Sequence, residues 1–585
     1  MGKLGRHMEA TTQMNGQTTR GRRWGLALLV VAVAASWLAL SGMNLWMGEL
    51  NQDEGWYLYA AGQIRVGHLP YRDFAFTQPP MLPLVYSWGY HWIERFGVAG
   101  GRALTWMLSS LSLLMTLWLA VRLGPRGAQR FTAGLCVLLV AVNLYQSYFT
   151  VVVKTYALTG LLLVSGLVML SFVSRERAFR AAFTGGLLLA LATATRISMG
   201  VALGLGFLYV LALQHRLKAW AWLDYALGAG LGLGLTFLPF LALGGDGFWF
   251  GLFEYHTLRS AGTWLTRAAY QAGALSRLAH AYYPAVIIGI LLLAAAGFGR
   301  TIRDGSLRCA GGGPGDTAAS HGIPPGFAIL LVLVLVAVGA VHLLAPFPYD
   351  DYQVPLYPLL CAGLSGCAAR AWMRLEARYF AAQDPAVRHD RRLAVLLCFW
   401  LLCVVHALSS PQAQGWFVAG RDRIWWQLRE QSPMGQLRNM GGWVRELTLA
   451  EGGTELLTQD TYLAVEAGLP VPRGLEMGPF SYYPDWPRER AERIGVMNRD
   501  MLADLLSETT NAPIAAFSGY GLAIRSPEIE PIRREDRLDF EAILDHRFDR
   551  VESVPGFGQA GTTLEIWRLK KFEDYPGHAA ETAEE

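Results

Sequence analysis

Eleven stretches of this chain are apolar over a length that crosses, or nearly crosses, the roughly 30 Å of hydrocarbon in a bilayer. They run at about 24–44, 103–121, 131–147, 155–173, 181–195, 197–213, 222–243, 284–299, 327–345, 353–369 and 393–409. In lipid every backbone polar group must be satisfied inside a helix or a closed barrel, so runs of this length demand helices. The expectation is an α-helical multi-pass membrane protein with about 11 transmembrane helices over residues 24–410. Composition agrees, since 53% of the 585 residues are hydrophobic and only 16% are charged.

Charge divides the chain in two. Residues 1–410 hold 31 Lys and Arg against 17 Asp and Glu, whereas 411–585 hold 19 against 29. A basic membrane part thus precedes an acidic, water-soluble one, and the overall +4 leaves no nucleic-acid footprint. With residues 1–23 as a cytoplasmic N-terminus, 22 of the 31 basic residues fall in cytoplasmic segments and nine in outward ones, as the positive-inside rule requires. The first run follows Arg20, Arg22 and Arg23 and is longer than the core of a secretory signal, so it reads as a retained anchor. An odd number of spans then puts the tail outside. An extracytoplasmic α/β domain is expected over 411–571, with helices at 434–447 and 533–548 and strands at 455–460, 513–518 and 562–571. The acidic end, 572–585, is too polar to fold. None of the six cysteines (Cys136, Cys309, Cys361, Cys367, Cys398 and Cys403) lies in the tail, so no disulfide framework is expected.

Three outward segments stand at about 45–102, 244–283 and 346–352, and irregular backbone at a membrane surface must be buried in protein, lie at the interface or line a wet cavity, so the first loop is the place where chemistry is expected. In the first loop Glu49, Asp53 and Glu54 cluster just beyond the first span. Residues 54–66 read as a short interfacial helix with Trp56, Tyr57 and Tyr59, and Pro70, Pro79, Pro80 and Pro83 break the remainder into pieces. On composition alone these acids are solvated loop charges and the aromatics an interface belt, as are Tyr282 and Tyr283.

The order of residues points further. An Asp53-Glu54 pair after the first span, an aromatic helix, Tyr71-Arg72-Asp73 and then Pro79-Pro80 resembles the polyprenyl-phosphate-dependent glycosyltransferases (family 39-like) related to protein O-mannosyltransferases and lipid A aminoarabinose transferases. The resemblance runs from about residue 24 to 370, strong in the first loop and loose beyond. It implies the GT-C membrane glycosyltransferase fold and places Asp53, with Glu54 beside it, at the site of sugar transfer. The acceptor hydroxyl must lose a proton as it attacks the anomeric carbon, and a carboxylate can take it or hold a metal that does. A single displacement of this kind inverts the anomeric centre.

The chain also departs from that pattern. The aminoarabinose transferases carry Glu-Lys before the two prolines, the lysine being associated with the lipid phosphate, where this chain has Thr77 and Gln78. A neutral amide cannot supply that charge, so Lys154, Arg196 and Arg259, with Gln78, are the candidates for the donor phosphate; the alternative for Lys154 is a side chain snorkelling to the interface. In the second loop His256 and Arg259 repeat a His-x-x-Arg spacing of these relatives and would share one face of a helix. His256 is the candidate ligand should a divalent metal act as cofactor. The segment PFPYDDYQVPLYPLL matches a family pattern in which Asp351 occupies a position expected to be basic. Tyr57, Tyr71, Arg72, Asp73, His256, Asp351 and Tyr352 are the candidates for touching substrate.

The implied partners are a polyprenyl-phosphate-linked sugar, membrane lipids and an acceptor that is a glycolipid, a protein or a polysaccharide. The second loop is too short for the added β-domain of eukaryotic O-mannosyltransferases, which favours a bacterial cytoplasmic membrane. Two rivals stand beside the transferase. A lipid-linked-sugar transporter or flippase would need repeated halves and charges at mid-membrane, whereas the sequence shows no repeat and nearly all its charges sit at span ends. A non-catalytic assembly partner would account for Thr77 and Gln78.

Overall fold

The computed structural model describes residues 2–174, 178–217, 220–259, 263–305, 323–380, 384–417 and 430–571. The acidic end at 572–585 and Cys309 lie outside them, and the five other cysteines are free thiols.

The membrane part is a bundle of helices: α1 (Gly2–Met47), α2 (Gln52–Arg65), α3 (Met81–Trp88), α4 (Tyr90–Leu123), α5 (Gln129–Ala141), α6 (Leu144–Phe149), α7 (Tyr156–Leu170) and α8 (Ala178–Thr195). It continues with α9 (Gly200–Leu217), α10 (Ala221–Trp249), α11 (Tyr255–Leu258), α12 (Trp264–Ala281), α13 (Tyr283–Gly305), α14 (Phe327–Leu343), α15 (Tyr357–Tyr379) and α16 (Pro385–Phe417). Each of the eleven apolar runs falls mainly on one of these helices, except 131–147, which is split between α5 and α6. Among the described residues six helices are long and apolar enough to cross a membrane, or seven when α12 and α13, bent by 91°, are taken as one broken span. The apolar helices α5, α7 and α14 are shorter, at 13, 15 and 17 residues. A close helix pair is built by small residues: a Cβ on Gly228 of α10 would lie 2.0 Å from the Phe183 carbonyl of α8, so the two backbones touch only because glycine stands there.

The first loop forms the short aromatic helix that the sequence predicts, starting two residues earlier, as α2. The second loop is more helical than its composition suggests. Helix α10 continues through a break at Gly245 (φ 46°), a π-helical turn follows at Phe250–Glu254, and α12 is an amphipathic helix. Tyr282 is a core residue rather than part of an interface belt. It is buried, stacks on Tyr357 with ring centroids 3.8 Å apart, and donates to Gln146 Oε1 at 3.0 Å.

The tail holds α17 (Pro433–Ala450), α18 (Thr461–Ala467), α19 (Arg488–Ile494), α20 (Arg499–Glu508), β1 (Ile514–Phe517), β2 (Ile524–Arg525), β3 (Glu530–Pro531), α21 (Arg534–Arg547), β4 (Phe548–Phe557) and β5 (Thr562–Leu569). A small antiparallel sheet in the order β1-β5-β4 buries Ile514, Leu564 and Ile566 against helices, giving the α/β character expected. The segment 455–460, read from sequence as a strand, meets β1 through only one parallel bridge, Leu457 with Ala515. It turns away at Asp460 to start α18, and α18 packs along α2.

Candidate active site

Helix α2 begins with Asn51, whose side chain accepts from the Asp53 N–H (3.0 Å) while Glu54 Oε1 accepts from the Asn51 N–H (3.1 Å). This reciprocal capping box fixes the first turn. Successive residues on a helix diverge by about 100°, so the acid pair splits. Glu54 turns inward to Arg102, which donates from Nε to Oε2 (2.7 Å) and from Nη2 to Oε1 (2.6 Å), both side chains being fully buried. The same guanidinium donates to the carbonyls of Asn44 (3.2 Å), Leu45 (3.0 Å), Gly48 (3.1 Å) and Glu49 (2.7 Å), binding the end of α1 to α2. Glu54, grouped with Asp53 as a catalytic candidate, is thus occupied on both oxygens and has no face toward the other candidates.

Asp53 points to a different side of α2. Its Oδ1 accepts from Trp56 Nε1 (3.2 Å), its Oδ2 lies 3.2 Å from Lys154 Nζ, and 30% of its side chain is exposed. Lys154 stands in the break between α6 and α7, where the β-branched run Val151–Val153 interrupts the helix. It is 8% exposed, far from snorkelling to water, and is shared with Asp351 Oδ2 at 2.9 Å. Tyr156 donates to the same Asp351 oxygen at 2.8 Å. The segment 350–353 is a single 3-10 turn, so Asp350 and Asp351 diverge. Asp350 accepts from Arg277 (3.1 Å) and Tyr145 (2.7 Å), and Asp351 holds the lysine.

Arg196 adopts extended backbone (φ −150°) between α8 and α9. Its guanidinium lies over Tyr352 at 4.3 Å and Tyr156 at 5.2 Å, Nη1 reaches Thr155 Oγ1 at 3.4 Å, and the buried Nε has no hydrogen-bond partner. A cation stacked on rings keeps its edge donors for an anion. Tyr57, on α2, senses Asp53, Arg196, Lys154 and Tyr352. Burial, reinforced by the Asp53 carboxylate, pushes its hydroxyl well above the ordinary phenol range, so it remains a neutral hydrogen-bonding group.

The second loop brings Arg259, over Tyr255 (5.6 Å) and Phe347 (5.7 Å), with its buried Nε also without a partner. Arg259 has already left α11 (ψ 124°), so it and His256 do not share a helical face as the spacing suggests. His256 Nε2 is 3.2 Å from the Thr77 carbonyl. That carbonyl accepts only if Nε2 carries the proton, which removes Nε2 as a ligand. Among the described residues no group of three His, Cys, Asp or Glu converges. His256 keeps Nδ1 as a ligand atom, but no set of three ligands forms around it among the described residues.

The remaining candidates shape the first loop. Arg72 pairs with Asp73 at 2.7 Å on the surface. Tyr71, at φ 70°, is buried and donates to the Gln78 carbonyl, packing against Phe76, Phe240 and Phe248. The structure thus brings together Asp53, Tyr57, Lys154, Arg196, Asp351 and Tyr352, with Arg259 and His256 at one flank. Two participants were missed from sequence. Tyr156 follows Lys154 by two residues and reads as one more aromatic at a span end, and Arg102 sits at the edge of the apolar run 103–121, where a charge is ordinary.

No protein-family model matches this chain, and no curated protein matches its sequence. Among solved structures, ArnT from Cupriavidus metallidurans in the apo state is similar over 94% of this chain and 98% of its own, with TM-score 0.53 and 15% identity. ArnT from the same organism bound to undecaprenyl phosphate is similar over 92% and 97%, with TM-score 0.53 and 13% identity. At that identity the likeness carries the fold alone. This multi-pass membrane chain, from its first loop to its tail, has the GT-C glycosyltransferase fold.

Proposed function

We propose that the protein transfers a sugar from a polyprenyl-phosphate carrier to an acceptor hydroxyl, with Asp53 as general base. The observation that carries this reading is Lys154, one ammonium held between Asp53 (3.2 Å) and Asp351 (2.9 Å) beside Arg196, whose Nε has no partner. A partly exposed carboxylate beside buried cations is what a reaction needs when a proton leaves one oxygen as negative charge grows on another. The acceptor O–H gives its proton to Asp53, its oxygen bonds to the anomeric carbon, and the bond from that carbon to the phosphate oxygen breaks. The electron pair goes to the carrier phosphate, where Lys154 and Arg196 stabilise it, with Arg259 at longer range. Lys154 supplies the cation that Gln78 cannot. One displacement inverts the anomeric centre.

ArnT bound to undecaprenyl phosphate shares the fold, which supports a polyprenyl-phosphate partner for this chain. The positive-inside count supports an N-terminus inside and a tail outside a bacterial cytoplasmic membrane, with chemistry on the outer side. In this reading residues 24–410 form the transferase body, 1–23 its cytoplasmic lead and 411–571 an outward domain. The test follows label leaving radiolabelled polyprenyl-phosphate hexoses and pentoses with the full chain in lipid nanodiscs and candidate acceptors supplied. Turnover by the natural chain and none by Asp53→Asn supports the reading. Carrier binding without turnover of any sugar overturns it and favours a non-catalytic partner or a flippase.

A further inference from the structure

The tail reaches the catalytic helix at its first turn. The β4–β5 turn places Gln559 Oε1 2.8 Å from the backbone N–H of Gln52, and the Ala560 N–H 2.5 Å from Glu49 Oε1. Gln52 Nε2 donates in turn to Asp460 Oδ1 at 3.0 Å. Asp460 is fully buried, and its other partners are neutral donors: Tyr462 OH (2.8 Å), Ser518 Oγ (2.7 Å) and Ser518 N–H (2.7 Å). A carboxylate with this shell is spent on holding geometry. Gly55 adds a steric reason for the contact, since a Cβ there would lie 2.3 Å from the Tyr462 backbone nitrogen.

An α-helix leaves its first four N–H groups without intrahelical partners, and residues nearby in sequence usually satisfy them. Here one of the four, that of Gln52, is satisfied by a residue 507 positions later, from a different part of the fold. The next residue is Asp53. We infer that the C-terminal domain positions the Asp53 carboxylate, with Gln559 and Asp460 as positioning residues acting through Gln52. The tail is then part of the transferase without touching substrate. A shift of about 1 Å in a reacting group lowers turnover by about 100-fold, so a loosened first turn acts on the chemical step, while carrier binding through Lys154 and Arg196 is preserved.

The inference rests on the proposed sugar transfer only for its kinetic half. The test uses the full chain in nanodiscs with Gln559→Met, which keeps the size of a half-buried turn residue and removes the acceptor. Hydrogen exchange of peptides spanning 50–60 is expected to quicken at least tenfold at the start of α2, on the principle that a lost cap frays the first turn. Exchange in β1 and β5 and the melting temperature should match the natural chain. In the same sample kcat for carrier turnover should fall about 10- to 100-fold, with carrier KM within about twofold. Quickened exchange throughout the tail would mark a merely structural role and overturn the inference, as would unchanged exchange in α2 or unchanged kcat. If the natural chain turns over no carrier, sugar transfer falls, and the exchange result alone decides whether the turn holds α2.

Discussion

The split of Asp53 and Glu54 predicts opposite phenotypes for neighbouring carboxylates. Glu54 Oε1 accepts from Arg102 Nη2 and the Asn51 N–H, and Oε2 from Arg102 Nε and the Val153 N–H. All four partners are donors, so the amide nitrogen of Glu54→Gln has no acceptor, and the guanidinium is left as an uncompensated charge in a fully buried place. Breaking one side of such a pair costs about 3–5 kcal/mol. Asp53→Asn meets a different setting. Trp56 keeps an acceptor in the amide oxygen, Lys154 keeps Asp351, and the partly exposed pair that is lost contributes about 0–1 kcal/mol. Denaturant or thermal unfolding of both variants in nanodiscs, measured beside carrier turnover, separates them. Glu54→Gln should lose stability by several times the loss of Asp53→Asn, yet its folded fraction should still turn over. Asp53→Asn should melt like the natural chain and be inactive. A Glu54→Gln protein as stable as the natural chain but inactive would refute the reasoning, because the carboxylate would then be needed for its chemistry and not its pairing.

Three further outcomes follow from the same geometry. Lys154→Met leaves Asp53 and Asp351 as neighbouring unpaired acids, so carrier binding by fluorescence quenching should weaken at least tenfold, about 1.4 kcal/mol; binding as tight as in the natural chain would remove Lys154 from the phosphate site. Gly55→Ala should detach α18 from α2, seen as new protease cleavage between the two parts, since the added methyl meets backbone rather than a flexible side-chain end. Glu476, buried in the tail beside α2, has its carboxyl pushed up by burial to about 7 from an ordinary 4.5. Because the unfolded chain gives up this proton first, the group costs stability as pH rises through that window, by up to about 3 kcal/mol at about 1.4 kcal/mol per unit, and costs nothing further above it. Glu476→Gln should flatten the melting temperature between pH 4.5 and 7, and an unchanged slope would reject that assignment.

The residues that gather around Lys154 were legible because polar groups at the ends of apolar runs must be satisfied by water, protein or ligand. Asp53, Lys154, Arg196 and Asp351 each stand at such an end, and four ends of one bundle meet on one side. What the sequence hid was partnership. Arg102 looks like an ordinary end charge because its acid lies 48 residues earlier and its burial depends on how α1, α2 and α4 converge. Asp53 and Glu54 looked equivalent since only the phase of α2 separates them. Asp460 and Gln559 carry no pattern at all, for their importance arises from docking on a helix more than 400 residues away. The helices of the second loop are hidden for a related reason: Gly245, the π-helical turn and the bend before α13 interrupt what would otherwise be a continuous helix, and interruption reads as loop.

The charges at the site argue for one more property. Lys154, Arg196 and Arg259 face Asp53 and Asp351, which leaves one positive charge among these five groups, matched by the single negative charge of a sugar-carrying phosphodiester. In the proposed transfer the carrier phosphate gains a second negative charge, and it stays balanced while Asp53 holds the proton it took. A carrier phosphate added from solution meets Asp53 without that proton, and the two repel. Unit charges separated by about 4 Å interact by about 4 kcal/mol at an effective dielectric of about 20, and solvent around the partly exposed Asp53 reduces this. Asp53→Asn removes the repulsion. It should therefore bind sugar-free polyprenyl phosphate at least tenfold more tightly than the natural chain, while its affinity for the sugar-linked donor changes less. Titration of a short-chain carrier phosphate into both proteins measures this directly. Equal or weaker binding by Asp53→Asn would mean that the carboxylate does not face the phosphate, and the direction of transfer proposed for this site would have to be redrawn.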